Sequence, residues 1–292
     1  MKSTGSARGK IILLGEHAVV YGVPALVAGI DREARASVQR ASSTSILLAG
    51  QPLEANDALF EALSQASDLY GLGPLELELE LDLPSGSGLG ASAALGVATA
   101  RALAHLADRL DEATIWRAAM AWERVFHKNP SGVDTTAAMR GGVLRYVRGE
   151  DPTPVRLGQS LEISVCVAGP PAPTAAMVES VARLRDRRPE AFTKNLAAIA
   201  QLVENAEPTL RSGDERSLGR LMDLNHMLLS SWMLSTEEIE AAREIARGAG
   251  AFGSKLTGSG GGGAVLAVGP SAPILDAWRA AGYVSFVAKI GT

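Results

Sequence analysis

The sequence predicts two α+β domains rather than one doubly wound sheet. Strand and helix patterns do not alternate regularly along the chain, which argues against a run of βαβ units. A stretch at residues 148–159 with two prolines, Gly149, Gly158 and mixed charge divides the chain into two parts, each long enough for a core. The expected domains are residues 1–157 and 158–292.

The elements follow in order. Residues 10–14 form a short apolar run ended by glycine, a buried strand. Residues 32–40 alternate loosely and read as a second strand. Residues 75–83 carry Leu at every odd position and Glu or Asp at every even one, the period of a strand with one wet face. The acidic face reads as solvated surface, not as a metal site. Residues 91–106 are rich in Ala and Leu and predict a helix. A second helix spans 111–126, with Asp111 as its N-cap. After a turn at 127–130 come a short segment to Arg140 and a strand over 142–147. Beyond the break, 161–168 is a strand, several helices fill 174–249, and strand, glycine loop, strand, helix and strand complete the chain. The apolar helical faces between 174 and 249 suit either a core or a homodimer surface.

Composition excludes several classes. The chain has 292 residues, 47% of them hydrophobic and 21% charged, as in a globular protein. A net charge of −4 and only 4% aromatics argue against nucleic-acid binding. The lone cysteine, Cys166, lies in a mostly apolar run and reads as a buried strand residue. No apolar stretch is long enough to span a bilayer, and the run at 11–14 is too short for a secretory signal, so the expected location is the cytoplasm.

The segment Pro84-Ser85-Gly86-Ser87-Gly88-Leu89-Gly90-Ala91-Ser92 lies between a strand and a helix. Glycines let the backbone approach an anion, and a helix start supplies unpaired N–H groups, so the segment suits phosphate. It lacks the Lys-Ser/Thr of a P-loop and the glycine spacing of a dinucleotide fold. An ordinary strand-to-helix turn explains the same residues when they are taken alone. Glu123 and Asp134 stand eleven residues apart. Phosphoryl transfer needs a phosphate cradle, a magnesium ligand, a positive charge and a group for the attacking hydroxyl's proton. Glu123 with the Ser92 hydroxyl would hold the metal, and Asp134 would act on the substrate. Two surface acids would have the same spacing.

Longer motifs are more specific. The run from Gly9-Lys10-Ile11 to Gly15-Glu16-His17-Ala18-Val19-Val20-Tyr21-Gly22 resembles the first motif of the mevalonate kinases. These belong to the galactokinase, homoserine kinase, mevalonate kinase and phosphomevalonate kinase superfamily. Residues 84–94 resemble its phosphate-binding motif. Glu123 with residues 127–134 is similar to the core around the magnesium ligand and catalytic aspartate. Lys255-Leu256-Thr257-Gly258-Ser259-Gly260-Gly261-Gly262-Gly263 resembles the third motif. All four occur in family order over nearly the whole chain.

The resemblance implies an N-terminal ribosomal-protein-like α+β domain, a C-terminal ferredoxin-like domain and a cleft between them. It implies ATP- and Mg2+-dependent phosphorylation of the C5 hydroxyl of (R)-mevalonate. Asp134 and Lys10 would be catalytic. Glu16, His17 and Thr257 would lie on the substrate side. Pro84, Gly86, Ser87, Gly88, Leu89, Gly90, Ala91, Ser92, Gly258 and Gly260 would hold the nucleotide, with Ser92 and Glu123 on the metal. Two positions depart from the pattern: Arg8 stands where proline is common, and Ala91 where a serine is usual. Ala91 removes a hydroxyl but leaves backbone N–H groups for phosphate. A superfamily kinase for another acceptor, or a ligand sensor of the same fold, are the competing readings. The sensor should lack a base or metal ligand, and Lys10, Ser92, Glu123 and Asp134 are all present.

Overall fold

The computed structural model describes residues 2–84, 87–127, 130–170 and 172–291. The chain forms two compact units. One comprises Met1–Lys10, Arg32–Leu83 and Gly90–Gly141; the other comprises Ile11–Asp31, Pro84–Leu89 and Gly142–Thr292. The units alternate along the sequence, and strands β1 (Ser3–Leu14) and β2 (Ala25–Arg40) each contribute residues to both. The break at residues 148–159 falls within the second unit.

The first unit adds β3 (Ser45–Leu48), β4 (Gln51–Pro52) and β5 (Leu75–Leu81), in the order β4-β3-β5-β2, with β1 beside β2. Strand β5 runs antiparallel to β2 and parallel to β3. Its alternation does what period two requires. Leu75, Leu77 and Leu79 are buried, whereas Glu80 is exposed and Glu78 accepts the Lys2 ammonium at 2.5 Å. The helices α1 (Ala58–Asp68), α2 (Ala91–Leu106), α3 (Glu112–Phe126) and α4 (Val133–Arg140) belong to this unit. Asp111 caps α3 by accepting from the Thr114 N–H at 2.8 Å. Small side chains let α2 sit deep, with every residue from Ala93 to Ala100 buried. A Cβ on Gly96 would lie 2.7 Å from the Trp122 ring, so the glycine makes room for a fully buried tryptophan. That packing offsets the roughly 1 kcal/mol that glycine costs inside a helix.

The second unit contains β8 (Leu161–Gly169), β9 (Gly253–Thr257), β10 (Gly263–Val268) and β11 (Val284–Ile290), ordered β11-β8-β10-β9 with antiparallel neighbours. Helices α5 (Thr174–Arg187), α6 (Pro189–Ser212), α7 (Glu215–Ser231) and α8 (Glu237–Gly248) lie between β8 and β9, and α9 (Ser271–Ala280) between β10 and β11. Strand connection and order are those of the ferredoxin-like split βαβ plan, as expected. Strand β6 (Val143–Tyr146) pairs with Ala25–Ala28 of β2, and β7 (Thr153–Val155) with β6. Trp232, Trp278, Phe192 and Val181 fill the core, where Cys166 is also buried. Burial pushes the Cys166 thiol up to about 12, which leaves it inert at neutral pH. Among the described residues, no helix is long and apolar enough to cross a membrane.

Candidate active site

In the first unit, the expected residues Lys10, Gly90, Ser92, Glu123 and Asp134 meet at the start of α2. Gly90 is the helix N-cap in the left-handed region (φ 75°), and no side chain caps the helix. The first helical N–H groups have no partner within the helix. A Cβ on Gly90 would stand 2.7 Å from Cγ of Lys10, so glycine is what lets the Lys10 stem pass. Lys10 is 2% exposed, and its Nζ lies 3.0 Å from Oδ1 of Asp134. Asp134 sits in the first turn of α4, behind the left-handed N-cap Gly132. The positive end of a helix favours a carboxylate there. The Asp134 side chain is 34% exposed, so the paired carboxylate is still presented to solvent.

Ser92 donates its hydroxyl to Oε1 of Glu123 at 2.5 Å. Glu123, late in α3, is 3% exposed. Burial pushes its pKa up to about 7; Asp134 adds to the rise, while the Ser92 hydrogen bond and the Lys10 charge oppose it. A carboxyl group held there ionises readily beside a cation. The donors are hard oxygens, which suit magnesium. No group of three or more His, Cys, Asp or Glu among the described residues could hold a metal alone. A magnesium ion would therefore take its other ligands from phosphate and water, as is usual for it. His127 also lies here, with Nε2 4.0 Å from Glu123 Oε2, a proximity signalled only by the i,i+4 spacing.

In the second unit, His17 donates from Nε2 to the Ser259 carbonyl at 2.9 Å. A carbonyl only accepts, so the proton sits on Nε2 and Nδ1 is left as an acceptor. Burial holds the imidazole below its ordinary pKa, which keeps it neutral at pH 7. Two further expected substrate-side residues have internal partners. Glu16 has no exposed surface; its carboxylate is paired with the Lys255 ammonium and accepts from Asn225 Nδ2 at 3.1 Å. The Thr257 hydroxyl accepts from the Ile12 N–H at 3.0 Å and donates to the Ile12 carbonyl at 3.2 Å, which ties β9 to β1. Both side chains are committed internally.

The two glycine segments meet backbone to backbone. A Cβ on Gly88 would lie 3.1 Å from the Thr257 carbonyl, and one on Gly258 3.2 Å from Gly88 Cα. Ser87 turns its hydroxyl onto the Pro84 carbonyl at 2.6 Å, and Leu89 is buried. These side chains shape the described part of the loop. Gly86 lies outside the described residues. Gly260 packs where a Cβ would meet the Leu234 carbonyl at 2.5 Å. An open polar depression of about 730 Å3, lined by residues including Lys2, Arg35, Glu78 and Arg101, contains none of the expected site residues.

Strand β9 is the edge of its sheet, yet side chains occupy its outer hydrogen-bonding groups. The Ser254 N–H donates to Asp223 at 3.0 Å, and the Ser254 carbonyl accepts from Arg243 Nε at 3.0 Å. The Leu256 N–H donates to His226 Nδ1 at 3.2 Å, and the Leu256 carbonyl accepts from Lys255 Nζ at 2.5 Å. His226 in turn donates from Nε2 to Glu240 at 2.8 Å. Burial, then the Arg243 charge, lowers the His226 pKa to about 4, so Nδ1 stays an acceptor at neutral pH. Burial alone would raise the Glu240 pKa; hydrogen bonds from Ser235 and His226 and the Arg243 charge outweigh it and hold the group at about 2.

Residues 55–142 match the GHMP kinases N terminal domain, and residues 206–284 match the GHMP kinases C terminal family. These segments lie on either side of the break at 148–159. With the two-unit fold, they define a GHMP kinase. The chain is 35% identical to the mevalonate kinase of Aeropyrum pernix, over 89% of this chain and 86% of that one. It is 34% identical to that of Methanothermobacter thermautotrophicus, over 91% and 90%. The structure of L. major mevalonate kinase in complex with R-mevalonate superposes with a TM-score of 0.86 at 29% identity, covering 99% of this chain and 95% of that one. The chain belongs to the mevalonate kinase family.

Proposed function

We propose that the chain transfers the γ-phosphoryl group of ATP to the C5 hydroxyl of (R)-mevalonate, giving 5-phosphomevalonate and ADP. Family membership supports the reaction, and a relative of similar fold is described in complex with R-mevalonate. The observation that carries the chemistry is the buried Lys10 ammonium 3.0 Å from Asp134.

Asp134 receives the proton of the C5 hydroxyl. The hydroxyl oxygen forms the new bond to the γ-phosphorus, and the bond to the bridging oxygen breaks with its electron pair left on ADP. Lys10 holds the aspartate in place and offsets negative charge on the transferring group, a preorganised electrostatic effect. Backbone N–H groups of Gly88, Gly90, Ala91 and Ser92 would receive phosphate oxygens, joined by Gly258 and Gly260 of the third motif. Ser92 and Glu123 would hold magnesium, which supplies positive charge to the phosphates when bound. His17 Nδ1 is an acceptor at neutral pH, so it would take a hydrogen bond from a substrate hydroxyl; it has no proton for a carboxylate.

The test is an ADP-release assay with mevalonate, phosphomevalonate, galactose and homoserine as separate acceptors. ADP release with mevalonate is expected. No response to mevalonate would overturn the assignment, and faster release with another acceptor would move it within the superfamily.

A further inference from the structure

His17 has φ 57° and ψ −41°, the strained positive-φ form of a three-residue turn, although it is not glycine. Residues with a Cβ reach that region at a steric cost and stay there only when their surroundings determine it. Here the restraints can be traced. On one side of the strained residue, its ring is tied to the Ser259 carbonyl. On the other side stands Glu16, fully buried, whose two carboxylate oxygens are taken separately. Lys255 holds Oε1, and Asn225 Nδ2 donates to Oε2 at 3.1 Å. Lys255 and Asn225 are themselves fully buried. The Lys255 ammonium also reaches the carbonyls of Ile12 at 3.4 Å and Leu256 at 2.5 Å, so it is fixed to β1 and β9 together. The peptide between the two anchors is short, and its Glu16 carbonyl accepts from the Ala18 N–H at 2.6 Å.

A charge pair buried this deeply does not need substrate to be satisfied, and burying it is costly unless geometry and extra hydrogen bonds compensate. Its placement one residue before the strained histidine indicates what it does.

We propose that Lys255 and Asn225 are positioning residues for substrate: they hold Glu16 as an anchor, and the anchor locks His17 in its positive-φ conformation with Nδ1 turned to accept. This rests on the reading of His17 as a substrate-side group. Glu16 then acts through its neighbour and touches no substrate.

The test compares wild type with Lys255→Met, the double variant Glu16→Gln/Lys255→Met, Asn225→Ala and His17→Ala. Melting temperature, kcat, the KM for each substrate and 15N NMR of the imidazole are measured on each. Lys255→Met leaves a buried carboxylate without its counter-charge and should melt lower. The double variant removes both charges and should recover most of that loss. It should still raise the KM for mevalonate by about tenfold or more while KM for ATP stays within about twofold, because the histidine is displaced and the nucleotide side is not. Asn225→Ala should show the same split to a smaller degree, and serves if the Lys255 variants fail to fold. The wild-type imidazole should show one Nε2–H tautomer, and the double variant a mixture. A double variant with an unchanged imidazole spectrum or an unchanged mevalonate KM overturns the proposal. His17→Ala with an unchanged mevalonate KM overturns instead the substrate-side reading on which it rests.

Discussion

Replacing Glu123 with Gln separates the cost of the buried carboxylate from its use. The group rises from 4.5 to about 7 on folding. At about 1.4 kcal/mol per pH unit, that rise corresponds to roughly 3 kcal/mol. The sign follows from proton counts. Below pH 4.5 the carboxyl is protonated in both states, and its contribution is fully present. As pH rises through 4.5 towards 7, the unfolded chain releases the proton and the native one keeps it, so stability is lost. Glutamine carries no proton to lose. In metal-free buffer, wild type and Glu123→Gln should melt at similar temperatures near pH 4.5. By about pH 8 the variant should melt higher by several degrees, at roughly 2–4 °C per kcal/mol for a chain of this size. Thermal melts across that range are the assay. A difference between the two proteins that does not change with pH would refute the reasoning. The variant should also need more magnesium for activity; an unchanged requirement would count against Glu123 as a ligand.

Other outcomes follow from the same geometry. Asp134→Ala should lower kcat by about 10²–10⁴-fold with mevalonate binding largely kept, and near-normal turnover would remove Asp134 from its role. Lys10→Met should lower kcat by about 10²-fold or more, tested in the same assay. Gly90→Ala places a Cβ on the Lys10 stem at a left-handed position and should lower both the melting temperature and kcat, measurable side by side. His226 falls from 6.5 to about 4 on folding, so its contribution is complete above pH 6.5 and is lost as pH falls towards 4. That amounts to roughly 3 kcal/mol over the window. Denaturant melts of His226→Gln should be flatter than wild type there, and a parallel pair of curves would contradict the assignment.

Much of the fold was legible because its cues are local. A segment rich in Ala and Leu predicted α2 at its observed bounds, Asp111 predicted the start of α3, and the Leu-Glu alternation predicted β5. Helix α1 and strands β3 and β4 were not anticipated, although Asp57 caps α1 by accepting from the Leu59 N–H at 2.8 Å. An Asn-Asp pair before a short apolar segment reads equally well as a turn. The Lys10–Asp134 and Ser92–Glu123 pairings were suggested by motif order, and the structure brings both together. The internal contacts of Glu16 and Thr257 were not legible, for one reason. Whether a polar side chain faces a ligand or the interior depends on partners that sequence spacing does not show. The Glu16 partners lie 239 and 209 residues away, and that of Thr257 lies 245 away.

The side chains along the outer edge of β9 have a consequence for association between molecules. A bare edge strand is a template on which another chain can add its own strand. Here Asp223, Arg243, His226 and Lys255 take the place of a fifth strand, so the sheet cannot grow in that direction while they stay in place. The seal is ionic and sensitive to acid. Protonation of His226, near pH 4, turns its Nδ1 from an acceptor into a donor and frees the Leu256 N–H. Acid-treated protein should therefore begin to aggregate along β9, where the neutral protein offers no free edge.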